Sequence, residues 1–194
     1  MRIIGGVKGG RRLVEWDAPG IRPMRDFVRG ALFSIVSDFI PDATFLDLYC
    51  GTGSVGLEAL SRGARACTFV DRSPEACAIV RRNLDALDFL SAGEVVEGEC
   101  LEVLDRLARV GRKFDLVFVG PPYHQGLAPK TLDRLADGCL LTGDPVVITE
   151  IHELESLASR FGGLELVDRR RYGDNQLLFY RLSTDAPREE PSSS

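Results

Sequence analysis

A glycine-rich turn is the part of this chain best suited to chemistry. Gly51, Gly53 and Gly56 follow an apolar, β-prone run at residues 44–49, and a helix-forming segment, residues 57–62, comes next. Glycines let the backbone approach a ligand closely, and the start of the next helix offers free N–H groups. The order of strand, glycine turn and helix predicts the first half of a βαβ unit that binds a nucleotide-like ligand.

Two carboxylates narrow the choice of ligand. Asp47 lies late in the first predicted strand, where it would repel a pyrophosphate but suits the ammonium group of S-adenosylmethionine. Asp71 closes the next apolar run, 24 residues after Asp47, where a carboxylate can bind a ribose diol. Each acid could instead cap a turn, and the glycines alone also fit the GxGxxG pattern of NAD-binding proteins. Together the two acids favour S-adenosylmethionine over NAD.

A second turn, Gly120-Pro121-Pro122-Tyr123, follows another continuous apolar run. Ligands of open α/β sheets bind outside the carboxyl ends of the strands, so this turn should lie near the glycine turn. Two prolines restrict the backbone and would present the ring of Tyr123 rigidly. A flat base can stack on such a ring, although a stiffened turn with a core tyrosine is the structural alternative.

Composition excludes several classes of protein. The 194 residues suit one α/β domain, and the net charge of −5 means that contact with nucleic acid requires a local basic patch. The five cysteines form no CxxC pair, which is typical of buried thiols in a reducing cytoplasm. Only two histidines occur, so we predict no metal site. No stretch is long and apolar enough to span a membrane, and we expect no signal peptide.

The N-terminal region differs in charge from the rest of the chain. Residues 1–29 carry seven basic and three acidic side chains, a local charge of +4. Two short apolar runs flank residues 8–11 and predict a β-hairpin with a basic tip. Such an arm could contact a phosphate backbone, or it could be a solvated pair of surface strands.

The remaining chain alternates predicted strands and helices, which indicates a mainly parallel, doubly wound sheet. Residues 25–40 predict a helix whose apolar face includes Phe27, and residues 145–149 predict a buried strand. Two late strands, at residues 164–167 and 176–182, should form an antiparallel pair. Residues 183–194 predict a disordered tail.

With these motifs the chain resembles the RsmD family of bacterial 16S ribosomal RNA guanine-N2 methyltransferases, within the class I S-adenosylmethionine-dependent methyltransferases. The resemblance extends nearly to Leu182. The following segments carry it: Arg2-Ile3-Ile4-Gly5-Gly6, Lys8-Gly9-Gly10-Arg11-Arg12-Leu13, Arg22-Pro23, Leu46-Asp47-Leu48, Gly56-Leu57-Glu58-Ala59-Leu60-Ser61-Arg62-Gly63-Ala64, Pro121-Pro122-Tyr123 and Arg171-Tyr172-Gly173.

The resemblance implies a Rossmann-like, mainly parallel sheet of seven strands with helices on both faces. It divides the chain into a basic hairpin arm (1–23), a methyltransferase domain (24–182) and a tail (183–194). The implied partner is 16S ribosomal RNA or a small-subunit assembly intermediate, bound by a cytoplasmic monomer without a membrane contact.

Roles for individual residues follow from the same resemblance. The implied catalytic set is Gly120, Pro121, Pro122 and Tyr123, with Tyr123 stacked on the target guanine. The cofactor set comprises Asp47, Tyr49, Gly51, Gly53, Asp71, Arg72, Glu99 and Cys100. The RNA-binding set comprises Lys8, Arg11, Arg12, Arg22, Arg25 and Arg29.

Gly120 departs from the family, whose tetrapeptide begins with Asp or Asn. A side-chain oxygen there would accept a hydrogen bond from the exocyclic amine of guanine and orient that weak nucleophile. Its absence leaves an alternative open, a catalytically impaired RNA-binding relative that keeps the cofactor pocket. We expect an aspartate at position 120 to restore the acceptor with little movement elsewhere.

Overall fold

A mixed β-sheet organises the protein, and the computed structural model describes residues 1–14 and 24–183. Over these two ranges the structure has eight strands, in chain order β1 (Thr44–Leu48), β2 (Ala66–Asp71), β3 (Gly93–Glu97), β4 (Phe114–Val119), β5 (Leu141–His152), β6 (Arg160–Phe161), β7 (Leu164–Tyr172) and β8 (Asn175–Leu182). Their order in the sheet is β3-β2-β1-β4-β5-β8-β7-β6. The first five strands of that order are parallel, and the last three pair antiparallel.

The predicted α/β fold with helices on both faces is confirmed, whereas the predicted number of seven strands is wrong. The additional strand, β6, has only two residues and pairs with the start of β7. A run this short has no alternation of apolar and polar residues, so its sequence carries no strand signal.

Within the part of the chain that the structure describes, five α-helices cover the sheet: α1 (Asp26–Ile35), α2 (Ser54–Ser61), α3 (Pro74–Ala86), α4 (Cys100–Arg109) and α5 (Leu127–Leu135). The first three pack on one face through side chains such as Leu32, Leu57 and Val80. Helices α4 and α5 pack on the other face through Leu104 and Leu132. The sequence of β4 is almost entirely apolar because helices cover the sheet on both faces. Among the described residues, none of the helices has the length and apolar character needed to cross a membrane.

The strand order reverses next to β1, which lies between β2 and β4. Helix α2 follows β1 on one face of the sheet, whereas α5 follows β4 on the other. The loops after these strands therefore separate and leave a crevice at their carboxyl ends, where open α/β sheets bind ligands.

The N-terminal arm turns back on itself but does not form a regular strand pair. Ile3 N–H donates to the carbonyl of Arg11 at 2.9 Å, and Arg2 and Arg12 form one isolated antiparallel bridge. A short 3-10 helix, Gly6–Lys8, lies between the two short strands that the sequence predicted. Gly6 has φ +74°, and a Cβ there would lie 1.8 Å from the carbonyl oxygen of Ser61. The arm is therefore packed directly against the end of α2.

Glu58 holds this arm in place. Its buried carboxylate accepts hydrogen bonds from Ile4 N–H at 2.7 Å and Gly5 N–H at 2.8 Å. The same carboxylate accepts from Arg62 Nε at 2.7 Å and lies 3.8 Å from Arg29 Nε. The domain boundary predicted at residue 23 thus separates two segments that share one buried polar network.

Candidate active site

The glycine turn adopts a left-handed backbone that explains its composition. Tyr49, Gly51 and Gly53 have φ values of +61°, +53° and +75°. A Cβ at Gly56 would lie 2.4 Å from Phe69 Cε1 and 2.5 Å from Cys67 Sγ. Since β2 lies this close to α2, only glycine fits at position 56. The turn therefore brings backbone N–H groups to the carboxyl end of β1.

Asp71 joins the glycine turn to the end of β2. One carboxylate oxygen accepts a hydrogen bond from Gly51 N–H at 2.9 Å, and the other accepts from Ser73 N–H at 2.9 Å. Ser73 in turn caps α3 by accepting from Ala76 N–H. Asp71 thus shapes the turn and still presents carboxylate lone pairs to the crevice.

Asp47 is a buried carboxyl group at the base of the crevice. Its side chain is 1% exposed, and one oxygen accepts a hydrogen bond from Gly56 N–H at 2.8 Å. Burial raises the pKa of Asp47 to about 8, against the opposing effect of the Gly56 hydrogen bond. A cation beside this carboxyl would favour its ionised form. The site is therefore chemically suited to an ammonium group.

The predicted residues meet in one cleft of about 790 Å³. Every residue of the predicted cofactor and catalytic sets lines it except Gly53, where a Cβ would lie 3.0 Å from Val80 Cγ2. Arg72 and Glu99 form an exposed ion pair at 3.5 Å, and Cys100 is buried at the start of α4. The hydroxyl of Tyr49 hydrogen-bonds to Thr131 at 2.8 Å, and burial raises its pKa to about 12.

The second turn continues β4 into the same cleft. Gly120 N–H donates to the carbonyl of Leu48 at 3.3 Å, so the turn begins beside the end of β1. A Cβ at Gly120 would lie 2.6 Å from Phe118 Cε1. The expectation that an aspartate at position 120 needs little movement elsewhere is therefore wrong, because the ring of Phe118 occupies that space.

Sequence reasoning missed a carboxylate and two imidazoles next to Tyr123. Glu150 is 7% exposed and accepts hydrogen bonds from the Tyr123 hydroxyl and the Asn175 side-chain amide. His152 lies 5.8 Å from Tyr123, ring centroid to centroid, and His124 lies 5.1 Å from His152. All three missed residues line the cleft. Glu150 carries the signal used for Asp47 and Asp71, an acid at the carboxyl end of a buried strand.

The predicted RNA-binding side chains are dispersed. Arg29 is fully buried, donates to the carbonyl of Arg2 at 2.5 Å and pairs with Asp26 at 2.9 Å. Its assignment to an RNA-binding surface is therefore wrong. Arg12 and Arg25 are exposed. Arg22 and all of the predicted tail except Ser183 lie outside the described residues.

Lys8 and Arg11 lie at the end of α3. Lys8 Nζ pairs with Asp88 at 2.9 Å, and Arg11 Nη2 donates to the carbonyl of Ala86 at 2.9 Å. Helix α3 begins at the cleft and, at 1.5 Å per residue, ends about 20 Å away. The tip of the arm therefore lies near the amino-terminal ends of the parallel strands, on the side of the sheet away from the cleft.

The chain is similar to known proteins over most of its length. The family described as Conserved hypothetical protein 95 matches residues 1–181. Ribosomal RNA small subunit methyltransferase D of Escherichia coli is 37% identical over 150 residues, 77% of this chain and 74% of the relative. The Haemophilus influenzae protein of the same name is 32% identical over 151 residues, 77% of this chain and 78% of the relative.

A solved structure agrees with these relatives. The yhhF protein of Escherichia coli superposes with a TM-score of 0.83 at 31% identity, covering 94% of this chain and 97% of that chain. The similarity thus extends over nearly the whole chain. The chain belongs to the RsmD family of methyltransferases.

Proposed function

We propose that this protein transfers a methyl group from S-adenosylmethionine to the exocyclic N2 of a guanine in small-subunit ribosomal RNA. One observation carries the proposal: a single cleft joins a cation-friendly acid, Asp47, and a ribose-binding candidate, Asp71, to the Pro-Pro-Tyr turn. The ribosomal RNA methyltransferases that this chain resembles support the substrate class.

The donor groups of the cleft fit S-adenosylmethionine. Asp47 would face the ammonium group, whose charge offsets the cost of ionising a buried carboxyl. Asp71 would accept hydrogen bonds from the ribose hydroxyls, and Glu99 and Cys100 would lie along the adenine. When bound, the cofactor supplies an electrophilic methyl group on a sulfonium centre.

The Pro-Pro-Tyr turn would hold the base. Glu150 accepts a hydrogen bond from the Tyr123 hydroxyl, which fixes the far end of this side chain, and a guanine stacked on the ring would gain about 1–3 kcal/mol. The backbone carbonyls of Gly120 and Pro121 could accept hydrogen bonds from the amine. The carboxylate of Glu150 gives the cleft a side-chain acceptor despite Gly120, so the impaired alternative is not favoured.

The proposed activity is tested by methyl transfer from labelled S-adenosylmethionine to small ribosomal subunits that lack this modification. We expect nucleoside mass spectrometry to show N2-methylguanosine as the only new product. A different methylated nucleoside would refute the guanine-N2 assignment. Cofactor and RNA binding without transfer would indicate the impaired relative, and nicotinamide binding would indicate an oxidoreductase.

Asp71→Asn should weaken binding of S-adenosylhomocysteine by roughly 10- to 150-fold, equivalent to 1.5–3 kcal/mol for a hydrogen bond to a charged group. The amide cannot accept from both Gly51 and Ser73 N–H, so the turn also loses a tether. Isothermal titration calorimetry measures the change. Glu97→Gln, an exposed acid at the end of β3, is the matched control. Equal affinity of the Asp71 variant and wild type would remove Asp71 from the site.

Replacing Lys8, Arg11 and Arg12 with alanine should lower RNA affinity if bound RNA extends along the arm. Each phosphate contact contributes roughly 1 to the slope of log affinity against log salt. Because Lys8 is already paired with Asp88, we expect the slope to fall by about 2 rather than 3. Filter binding across salt concentrations measures it, with Arg106→Ala and Arg109→Ala on α4 as the control pair. An unchanged slope would place the RNA away from the arm.

A further inference from the structure

Glu150 is a nearly buried carboxylate that faces the proposed base site. Its side chain is 7% exposed, yet it lines the cleft beside Tyr123. Tyr123 and Asn175 each donate one hydrogen bond to it. A carboxylate accepts about four hydrogen bonds, so these two partners leave acceptor capacity for a ligand.

The sheet register brings the segment of β5 that carries Glu150 close to the turn that begins at Gly120. Phe118 pairs with Ile148, and Val119 pairs with Thr149, in parallel strands β4 and β5. Gly120 and Glu150 each follow the last pair of this ladder, and one further step in the same register would bring them beside each other at the usual strand spacing of about 4.8 Å. Paired residues of parallel strands project from the same face of a sheet. The Glu150 side chain therefore leaves the sheet on the side where a side chain at position 120 would project.

We infer that Glu150 is a catalytic residue that accepts a hydrogen bond from the exocyclic amine of the target base. The inference rests on the proposed function, and it assigns to β5 the acceptor that the family places at the first position of the Pro-Pro-Tyr turn. A hydrogen bond to a carboxylate orients the amine and increases electron density on its nitrogen. A base without an exocyclic amine at that position would leave this acceptor unpaired, which adds selectivity for guanine.

Glu150 could instead act only by holding Tyr123 in place. The two roles predict different effects of substitutions on the rate of methyl transfer. If Glu150 only fixes the phenol, removing the phenol oxygen should reduce the rate of methyl transfer as much as removing the carboxylate does. If Glu150 contacts the base, Tyr123→Phe keeps the stacking ring and the acceptor and should cost much less than Glu150→Gln.

The experiment compares single-turnover methyl transfer to unmethylated small subunits in wild type, Glu150→Gln and Tyr123→Phe. We expect Glu150→Gln to be at least 100-fold slower, within the range for removal of a general acid–base group. The rate of methyl transfer by Tyr123→Phe should be less than 10-fold below that of wild type. Calorimetry with S-adenosylhomocysteine and thermal unfolding establish that Glu150→Gln keeps the cofactor site and the fold. Glu102→Gln, an exposed acid on α4, controls for loss of one negative charge.

The pH dependence provides a readout that a purely structural role would not change. Burial raises the pKa of Glu150, against hydrogen bonds from Asn175 and Tyr123 and the charge of Arg25. His152, two residues further along β5, also borders the cleft. The ionised carboxylate is the acceptor, so the wild-type rate should fall as pH decreases through this raised pKa. Asp47 titrates in the same cleft, so the comparison is made at saturating cofactor, whose ammonium group would favour the ionised form of Asp47. Under that condition the Glu150→Gln profile should lack the acid limb.

The outcomes separate this inference from the proposed function. Transfer by wild type with Glu150→Gln within threefold of it would overturn the inference and leave the proposed function standing. Equal losses in Glu150→Gln and Tyr123→Phe would also overturn it, because Glu150 would then act through the tyrosine. If wild type transfers no methyl group to guanine N2, the proposed function fails and the inference fails with it.

Discussion

A Glu58→Gln variant is expected to lose about 3–5 kcal/mol of the free energy of unfolding, the typical cost of breaking a buried ion pair. The Glu58 and Arg29 side chains are both 0% exposed, and their charged atoms lie 3.8 Å apart. Glutamine would leave Arg29 without a buried counter-charge. Its amide nitrogen would also replace one of the oxygens that accept from Ile4 and Gly5 N–H.

Urea unfolding measures this loss, and hydrogen exchange locates it. The melting temperature should fall by roughly 6–20 °C, since 1 kcal/mol corresponds to about 2–4 °C in a chain of this size. The amides of Ile4 and Gly5 should exchange faster because the arm is released. Glu102→Gln should change stability by less than about 0.5 kcal/mol, as expected for an exposed position. A Glu58 variant as stable as this control would show that the arm is held by its apolar contacts, Ile3 and Leu13.

The sequence predicts the part of the cleft whose residues lie close together in the chain. The glycines and the acids of the first turn stand close together in the chain, because one strand, one turn and one helix build that half of the site. Asp47 and Asp71 follow the same rule, an acid at the carboxyl end of an apolar run. Parallel strands place such ends at one edge of the sheet, so topology alone brings them together.

The wrong predictions of exposure and burial concern side chains whose contacts are with residues far away in the chain. Arginine is usually a surface residue, but Arg29 is buried and pairs with Glu58, 29 positions later in the chain. Phe27 fits the apolar period of α1, yet it is 74% exposed and makes an edge contact with Tyr172. A helical period shows which side chains share a face, but not how far the neighbouring surface extends over that face.

The end of β5 was missed for a related reason. The apolar run predicts a strand that stops at residue 149, whereas β5 continues to His152. Pairing with β8 extends it, through Glu150 with Leu177 and His152 with Asn175. Backbone pairing does not depend on side-chain hydrophobicity, so the apolar run underestimates the length of β5, although Glu150 itself carries the signal of an acid directly after a buried strand.

Gly120→Asn alone is expected to destabilise the protein by about 1–3 kcal/mol, the usual cost of overpacking. The new Cβ would lie 2.6 Å from Phe118 Cε1, and Phe118 is 4% exposed and packs in the core cluster below the cleft. Phe118→Leu removes the contacting ring atom. In the Phe118→Leu background, Gly120→Asn should therefore cost less than it does in wild type, a coupling that a double-mutant cycle of urea unfolding measures.

The same pair of substitutions tests whether Gly120 limits catalysis. Asparagine supplies a neutral acceptor, so it avoids a second negative charge beside Glu150, and the guanine amine has two N–H groups to share between them. We expect Phe118→Leu/Gly120→Asn to transfer methyl groups about tenfold faster than Phe118→Leu alone, equivalent to roughly 1.4 kcal/mol in the barrier. Single-turnover assays at saturating cofactor compare the two variants, which share the altered core. Equal rates would show that Gly120 does not limit the reaction, because the acceptors already present then suffice.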